Sequence, residues 1–274
     1  MKYINVKNMS LPALGFGTYD LTGRACTQMV RHALDIGYRH IDTAQMYGNE
    51  TEVGAAIRQS GVARDDIFLT TKIWPDHLGY AEFKQATAES LKKLATDYVD
   101  LLLIHWPNSS IPLEQTLQAL TEVQAEGKAR HIGVSNFNVA LLRATVEDYS
   151  AEIVCNQVEY HPFLSQKPVL DYLHSHAMAL TAYCPLARGA VMRDATLTDI
   201  GRKYNKTAAQ VALRWFMEQD AVAAIPKAAK RDHCLTNFEI FDFSLSAEDM
   251  AAIARNTSNR RLVNPGWSPA WDNA

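Results

Sequence analysis

The sequence predicts an α/β protein folded as a (β/α)8 TIM barrel, with an N-terminal β-hairpin and a C-terminal loop over the active-site rim. Three observations support this. Short β-branched runs alternate eight times with segments of helical period within 274 residues, and barrels commonly have about 250. The near-continuous apolar run 98–105 is typical of a parallel strand covered on both faces. Asp42, Lys72 and His105 end successive strands, which favours a closed rim over an open doubly wound sheet.

The elements follow from local patterns taken in chain order. A hairpin is predicted from Tyr3–Val6 and the turn at Asn8. The eight barrel strands are the short runs rich in β-branched and aromatic residues, at 14–17, 39–42, 67–72, 98–105, 131–134, 153–158, 179–183 and 222–225. The helices place apolar residues three and four positions apart, and Gly37 and Gly127 end two of them. They are predicted at 24–36, 50–60, 80–94, 112–126, 140–149, 169–176, 197–204, 208–219, 231–238 and 247–254.

Composition excludes several classes of protein. With 47% hydrophobic and 21% charged residues and a net charge of -3, neither a nucleic-acid nor a membrane partner is expected. We expect no signal peptide and no membrane span, because no apolar run reaches the required length. The four scattered cysteines form no CxxC motif and predict free thiols in a reducing cytoplasm. The absence of linkers and heptads predicts one domain over residues 1–274 and a monomer.

No metal site is expected either. His174 and His176 are two residues apart and therefore do not share a helix face. His161 and His131 have no partner at a ligand spacing, and the HExxH motif is absent.

Four polar side chains converge at the predicted rim. Tyr47 follows Asp42 by five residues and joins Lys72 and His105 there. A tyrosine has an ordinary pKa near 10, and a neighbouring ammonium group should lower it toward a useful range. Asp42 would keep Lys72 charged, and a neutral His105 would donate to a substrate oxygen. The set suits protonation of a carbonyl oxygen, with a hydride from a cofactor because no side chain supplies one.

The same segments resemble the aldo-keto reductases over essentially the whole chain. The matching motifs are Asp42–Ala44, Tyr47–Glu50, Thr70–Trp74, Leu103–Pro107, Ile132–Phe137, Asn156–Tyr160 and Ile225–Lys227. The resemblance implies a barrel that reduces aldehydes and ketones with NADPH. It makes Tyr47 the proton donor, Lys72 and Asp42 the groups that tune it, and His105 the group that orients the carbonyl. Within the family, the chain looks most like bacterial 2,5-diketo-D-gluconate reductases, which also act on methylglyoxal, and the tail segments 261–263 and 268–272 add to that likeness.

The resemblance also implies a cofactor site. Ser135, Asn136 and Gln157 would hold the carboxamide, Tyr183 would stack on the nicotinamide, and Leu186 would lie along the pyrophosphate. The full set is Gly17, Thr18, Asp42, Ser135, Asn136, Gln157, Tyr183, Cys184, Leu186, Lys227, Ala228, Arg231, His233 and Asn237.

Three of these positions depart from the family pattern. Cys184 and Ala228 stand where Ser is common, and His233 stands where an Arg often grips the 2′-phosphate. Lys227 remains, and Lys230 and Arg231 keep the region basic. NADPH is therefore expected over NADH, but with a weaker preference, since Arg binds phosphate better than a neutral His.

The predicted substrate pocket is lined by Tyr19, Trp74, His105 and Trp106, joined by Trp267 or Trp271 from the tail. Apolar walls with a few polar groups suit a small carbonyl compound. Tyr19 stands where many relatives have Trp, so their substrate range does not transfer directly.

Two other functions are compatible with parts of the pattern. Lys72 could form a Schiff base, as in an aldolase, but Asp42 would keep the amine charged and the cofactor residues would have no purpose. A non-catalytic NADPH-binding subunit that senses redox state is the second. The presence of all four catalytic residue types disfavours it.

Overall fold

The computed structural model describes residues 1–272, and a two-stranded hairpin opens the chain. Strands β1 (Tyr3–Val6) and β2 (Met9–Pro12) pair antiparallel, as predicted. The Lys7 ammonium donates to the carbonyl of Ile153, two residues before one of the barrel strands. The hairpin therefore lies across the N-terminal end of the barrel, opposite the rim where the polar residues were expected.

Eight parallel strands form the barrel wall in sequence order. They are β3 (Phe16–Gly17), β4 (His40–Asp42), β5 (Phe68–Ile73), β6 (Val99–Ile104), β7 (Ala129–Ser135), β8 (Cys155–Glu159), β9 (Ala179–Tyr183) and β10 (Val222–Ala224). Leu14 bridges Ala224 in parallel. The Gly15 N–H donates to the Ala224 carbonyl at 2.9 Å, and the Gly17 N–H donates to that of Pro226 at 3.1 Å. These bonds join the first strand to the last and close the barrel, as the rim pattern predicted.

Helices connect the strands. They are α1 (Gly23–Ile36), α2 (Glu50–Gln59), α3 (Tyr80–Leu94), α4 (Leu113–Ala125), α5 (Val139–Arg143), α6 (Lys167–Ser175), α7 (Ala195–Tyr204), α8 (Ala208–Met217), α9 (Arg231–Phe238) and α10 (Ala247–Arg255). Gly37 ends α1 with φ of 121°, a conformation that glycine adopts most easily, and its N–H bonds the carbonyls of Ala33 and Leu34. Thr207 and Gln210 form a capping box that starts α8. Within residues 1–272, no helix is both long and apolar enough to cross a membrane.

Two predicted elements differ from the structure. The helix expected at 140–149 is divided into α5 and a π-helical turn at Ala144–Asp148. Thr145 Oγ1 donates to the Leu141 carbonyl at 2.8 Å, and this back-bonding competes with the regular helical ladder. The strand expected to begin at Ile153 begins at Cys155, because the Ile153 N–H is used in a tight turn to the Ala151 carbonyl.

The three polar residues that favoured a barrel meet at its C-terminal rim. Asp42 is the last residue of β4, Lys72 is the penultimate residue of β5, and His105 directly follows β6. Because neighbouring parallel strands place their C-terminal ends at one edge, residues far apart in sequence become neighbours there.

Candidate active site

A buried ion pair forms the centre of the site. Lys72 Nζ donates to Asp42 Oδ1 at 2.6 Å, to the Thr43 carbonyl at 2.8 Å and to Tyr47 Oη at 3.2 Å. The Lys72 and Asp42 side chains are 0% and 1% exposed. Burial lowers the pKa of Lys72, and the Asp42 carboxylate opposes that effect. Three acceptors match the three protons of an ammonium group, so the geometry supports a charged Lys72.

The phenol of Tyr47 faces this ion pair at the end of a short 3-10 turn, Gln45–Tyr47. Burial raises the pKa of Tyr47 well above its ordinary value, and the Asp42 carboxylate adds to the rise. The expectation that Lys72 would lower this pKa is therefore wrong in direction. The loss of water and the carboxylate together outweigh the ammonium group. Tyr47 consequently holds its proton at neutral pH.

His105 completes the group of four. Its ring lies 5.7 Å from the Tyr47 ring and 5.3 Å from the Trp74 ring, edge-on in both cases. Burial, together with the charge of Lys72, holds the pKa of His105 well below its usual range, so the imidazole is neutral as expected. Nδ1 is buried and has no hydrogen-bond partner within residues 1–272. Nδ1 is therefore closed to a ligand, and a neutral ring can hydrogen-bond a ligand through its other nitrogen, Nε2.

Aromatic side chains surround these polar groups. Trp267 packs edge-on against Trp74 at 5.9 Å and against Trp106 at 5.1 Å, and Trp271 reaches Trp106 at 5.9 Å. Tyr19, which is 56% exposed, covers the Tyr47 ring at 5.1 Å. The structure therefore brings together the predicted pocket residues, and both tail tryptophans join them.

A groove of about 450 Å³ continues from this aromatic wall along the rim. Its lining residues are Trp74, Pro75, Asp76, Pro107, Asn108, Ser109, Ser110 and Trp267. The groove has room for a small organic molecule, and it adjoins the site through Trp74 and Trp267; the four polar residues are not in its lining.

The residues expected to hold the nicotinamide form one connected polar row. Gln157 Nε2 donates to Asp42 Oδ2 at 2.7 Å, and Ser135 Oγ donates to the Gln157 carbonyl at 2.8 Å. Asn136 Nδ2 donates to Ser135 Oγ, while its Oδ1 accepts from the Tyr183 hydroxyl at 2.8 Å. Gln157 Oε1 has no hydrogen-bond partner within residues 1–272. These side chains therefore present hydrogen-bond donors and acceptors next to the ion pair of Lys72 and Asp42. A carboxamide needs both, so the residues present fit the carboxamide of a nicotinamide.

The expected phosphate-binding residues lie at the other side of the rim. Lys227 Nζ stands 3.9 Å from Asp20 Oδ2, so a long ion pair crosses from the β3 loop to the loop after β10. Arg231 and His233 are exposed in the first turn of α9, whose N-terminus has no side-chain cap. Uncapped N–H groups and cations together suit a phosphate.

The remaining residues that were predicted to bind the cofactor differ in burial and in the contacts they make. Ala228 and Asn237 are buried. Leu186 and Cys184 are partly buried, in the loop after β9, and Cys184 has a left-handed backbone with φ of 51°. Thr18 Oγ1 donates to the Asp42 carbonyl at 3.0 Å and thereby fixes the end of β4. The Gly17 backbone closes the barrel.

Several supporting residues were missed from the sequence. The Thr43 carbonyl holds Lys72, and Thr43 Oγ1 donates to Asn49 Oδ1 at 2.7 Å. Asn49 Nδ2 donates in turn to the carbonyls of Thr18 and Leu21 at 2.9 Å. The sequence places Asn49 only in a turn, and no sequence signal marks a backbone carbonyl as a ligand of Lys72.

The C-terminal tail is attached to the rim by a second buried carboxylate. Glu159 Oε1 and Oε2 accept from the N–H groups of Leu262 and Val263, each at 2.7 Å. Oε1 also accepts from His161 Nε2 at 2.9 Å. Asp272 Oδ2 accepts from the Val139 N–H at 3.0 Å and anchors the far end of the tail. The loop predicted over the rim is therefore held at both ends.

No group of three or more metal-ligating side chains occurs in the part of the chain that the structure describes. The carboxylate that pairs with Lys72 also opposes the free amine that a Schiff-base aldolase requires.

Comparisons with known proteins agree with this geometry. The model described as "Aldo/keto reductase family" matches residues 13–256. The methylglyoxal reductase DkgB of Salmonella typhimurium is 41% identical over 268 residues, which cover 96% of this chain and 100% of the relative. The glyoxal reductase of Bacillus subtilis is 42% identical over 259 residues, covering 94% of this chain and 93% of the relative.

Solved structures give the same fold. A protein described as a candidate 2,5-diketo-D-gluconic acid reductase B has a TM-score of 0.97 and 45% identity, over 100% of this chain and 98% of that one. The aldose reductase of Schistosoma japonicum has a TM-score of 0.93 and 30% identity, over 98% and 96% of the two chains.

Proposed function

Because this chain belongs to the aldo/keto reductase family, we propose that it reduces small aldehydes and ketones to alcohols with NADPH, using Tyr47 as the proton donor. The chain is an oxidoreductase, and enzymes of its family use NAD(P)H. Our proposal adds the preference for NADPH, the substrates methylglyoxal or 2,5-diketo-D-gluconate, and the role of each residue.

One observation carries the proposal: Lys72 Nζ hydrogen-bonds both Asp42 and the Tyr47 hydroxyl at the closed end of an aromatic pocket. This arrangement places the phenol proton of a partly buried Tyr47 next to a fixed positive charge and its counter-ion, both of which are buried. When bound, the reduced nicotinamide supplies the hydride that no side chain can supply. The residues of this chain manage the proton and the developing charge.

Proton transfer from Tyr47 follows from its surroundings. The raised pKa keeps the phenol protonated until a stronger base appears, and the oxygen of a carbonyl that is being reduced becomes such a base. As the phenol loses its proton, the ammonium group 3.2 Å away stabilises the new phenolate. Asp42 and the Thr43 carbonyl keep that ammonium group in place.

His105 directs the carbonyl toward Tyr47. Its neutral ring can donate one hydrogen bond without bringing a competing acidic proton into the site. The edges of the Tyr47 and Trp74 rings restrict how the imidazole can turn. A carbonyl oxygen held between His105 and Tyr47 would receive two donors as negative charge develops.

The cofactor preference depends on the basic surface near α9. Lys227 and Arg231 favour NADPH because the 2′-phosphate adds negative charge that NADH lacks. His233 is exposed and contributes less than an arginine would. Ala228 is buried and offers no hydroxyl. We therefore propose a moderate preference for NADPH.

The test is absorbance of the reduced nicotinamide with purified protein. NADPH and NADH are compared in parallel against methylglyoxal, 2,5-diketo-D-gluconate and an aromatic aldehyde. Signal loss that requires both protein and carbonyl supports the reductase and ranks its substrates. Tight NADPH binding without turnover of any carbonyl would favour a sensor, and substrate trapped by borohydride on Lys72 would favour an aldolase.

We also propose that the protein works as a monomer in the cytoplasm. Its four cysteines are free thiols in the structure, which is consistent with a reducing compartment.

A further inference from the structure

Asn49 is a fully buried amide beside the site, and the proton transfer proposed for Tyr47 does not use it. It stands at the N-cap position of α2, where its carbonyl accepts from the Val53 N–H at 3.0 Å and starts the helix. An asparagine in this position usually stabilises a helix by accepting from the N–H groups of its first turn. Here, among the residues that the structure describes, every hydrogen bond of the Asn49 side chain goes instead to the rim loops after β3 and β4. The helix gives up its cap, so the amide is better explained by what it does at the rim.

The amide joins three segments of the rim. Its Nδ2 donates to the carbonyls of Thr18 and Leu21, each at 2.9 Å, and its Oδ1 accepts from Thr43 Oγ1 at 2.7 Å. In the chain it follows Tyr47 by two residues. Both amide hydrogens and the amide oxygen are therefore used, and these bonds hold the buried group in one orientation. Asn49 thus fixes the loop after β3, the residue after β4 and the Tyr47 turn relative to one another.

Thr43 connects Asn49 to the chemistry. Its carbonyl accepts from Lys72 Nζ at 2.8 Å, which is one of the three hydrogen bonds of that ammonium group. Two contacts determine where this carbonyl points: the Thr43 N–H donates to the Thr70 carbonyl at 2.9 Å, and the hydroxyl donates to Asn49. Without the second contact the peptide after β4 can turn, and the buried Lys72 then loses an acceptor that water cannot replace. The distance of 3.2 Å from the ammonium group to the Tyr47 hydroxyl would change as a result.

We propose that Asn49 is a positioning residue, which holds the Lys72 ammonium group in place through Thr43. The consequence appears when Tyr47 gives up its proton, because the phenolate is best stabilised by a cation that is already fixed at a short distance. Asn49 is fully buried and its side chain bonds three partners within the protein, so it acts through its neighbours and not on the substrate. This inference rests on the proposed reductase function and adds to it a residue that governs the rate of the chemical step.

The experiment removes the connecting hydrogen bond with Thr43→Val, which keeps the backbone carbonyl and the shape of the side chain. The single-turnover rate of nicotinamide oxidation is measured with saturating NADPH and whichever of methylglyoxal, 2,5-diketo-D-gluconate and benzaldehyde the parent reduces fastest. This rate reports the chemical step without product release. It should fall by about tenfold to a hundredfold, the scale on which a displaced active-site group slows a reaction. The KM for the carbonyl and the NADPH affinity should stay unchanged, since the Thr43 hydroxyl faces Asn49 and neither ligand.

Three further variants distinguish positioning from a general loosening of the fold. Thr43→Ser restores the hydroxyl and should restore most of the rate. Asn49→Ala breaks the same bond from its other side and should be at least as slow as Thr43→Val, which tests the inference independently of how well that variant folds. Combining the two changes should slow the reaction no further than Asn49→Ala alone, because both break one interaction.

Thr145→Val is the matched control. Thr145 is as fully buried as Thr43, and its hydroxyl also donates one hydrogen bond, to the Leu141 carbonyl in α5. This variant should lose stability in urea unfolding and keep the single-turnover rate of the parent, because its lost bond lies outside the site.

Four results would overturn the inference. A parent-like rate in Thr43→Val would mean that this bond does not position Lys72. A Thr43→Ser enzyme as slow as Thr43→Val would mean that the hydroxyl is not responsible. An equal loss of rate in Thr145→Val would mean that loosening the fold is sufficient. A weakened affinity for NADPH or the carbonyl with an unchanged rate would assign Asn49 to ligand binding. If the parent reduces no carbonyl compound at all, the proposed function itself fails, and the inference fails with it.

Discussion

Replacing Glu159 with Gln tests whether one buried carboxylate holds the tail over the rim. The carboxylate is 0% exposed and accepts three hydrogen bonds, from Leu262 N–H and Val263 N–H at 2.7 Å and from His161 Nε2 at 2.9 Å. An amide removes the negative charge and converts one acceptor into a donor. That donor must then face another N–H group, so we expect the tail to detach more often.

The size of the effect follows from the number of bonds. A hydrogen bond to a charged group contributes about 1.5–3 kcal/mol. The oxygen of the new amide can still accept one or two of these three hydrogen bonds. The amide nitrogen cannot accept one, so at least one hydrogen bond is lost. The tail should therefore lose about 2–4 kcal/mol of docking free energy, which shifts its docked-to-detached ratio by about thirtyfold to a thousandfold.

Hydrogen exchange measures this directly. The amides of Leu262 and Val263 should lose protection in Glu159→Gln, while amides in β6 keep theirs. Substrate KM should rise, since Trp267 and Trp271 leave the pocket with the tail. Glu152→Gln is the control, because this exposed carboxylate precedes the same strand. Unchanged protection at Leu262 and Val263 would refute the reasoning.

Three other changes probe separate parts of the molecule. Tyr47→Phe removes the proton donor and should lower turnover by at least about a hundredfold in the nicotinamide assay while NADPH still binds. His233→Arg should tighten NADPH more than NADH in fluorescence titrations, because the new guanidinium group gains a phosphate partner. Burial lowers the pKa of His40 to about 4, so its folded form binds fewer protons than the unfolded chain below pH 6.5. As the pH falls from 6.5 toward 4, this difference lowers the free energy of unfolding by about 3 kcal/mol. In urea unfolding over the same pH range, His40→Leu should therefore lose less stability than the parent, by that amount.

A specific result would contradict each of these three predictions. Normal turnover by Tyr47→Phe would remove the central residue from the mechanism. An equal gain for both cofactors in His233→Arg would place that side chain away from the 2′-phosphate. The same loss of stability between pH 7 and pH 4 in His40→Leu as in the parent would mean that other groups cause it.

The sequence predicted the barrel and its rim because their signals are local or periodic. Eight alternations of strand and helix patterns specify the elements. Asp42, Lys72 and His105 recur at strand ends, so the topology alone brings them together. The pattern could not specify the π-helical turn at 144–148, because a single side-chain hydrogen bond from Thr145 redirects that helix.

The support around the site was harder to predict, because it depends on contacts between distant segments. Glu159 and the Leu262 and Val263 amides are separated by about a hundred residues, and two of these three groups belong to the backbone. The same holds for the Thr43 carbonyl on Lys72. Backbone groups have no sequence signature, so only the fold reveals which of them face a buried charge.

The pKa of Tyr47 shows why residue types alone misjudged the chemistry. Lys72 and Asp42 carry opposite charges beside the phenol, and the Asp42 carboxylate shifts the Tyr47 pKa in the same upward direction as burial. Burial is the larger of these two effects, and together they keep the phenol neutral. The ion pair is therefore poorly placed to form a phenolate in advance. It is well placed to stabilise the phenolate at the moment the proton leaves, because the ammonium group is already 3.2 Å from the oxygen. A Lys72→Met enzyme should accordingly lose turnover while NADPH still binds, and retained turnover in that variant would contradict this account.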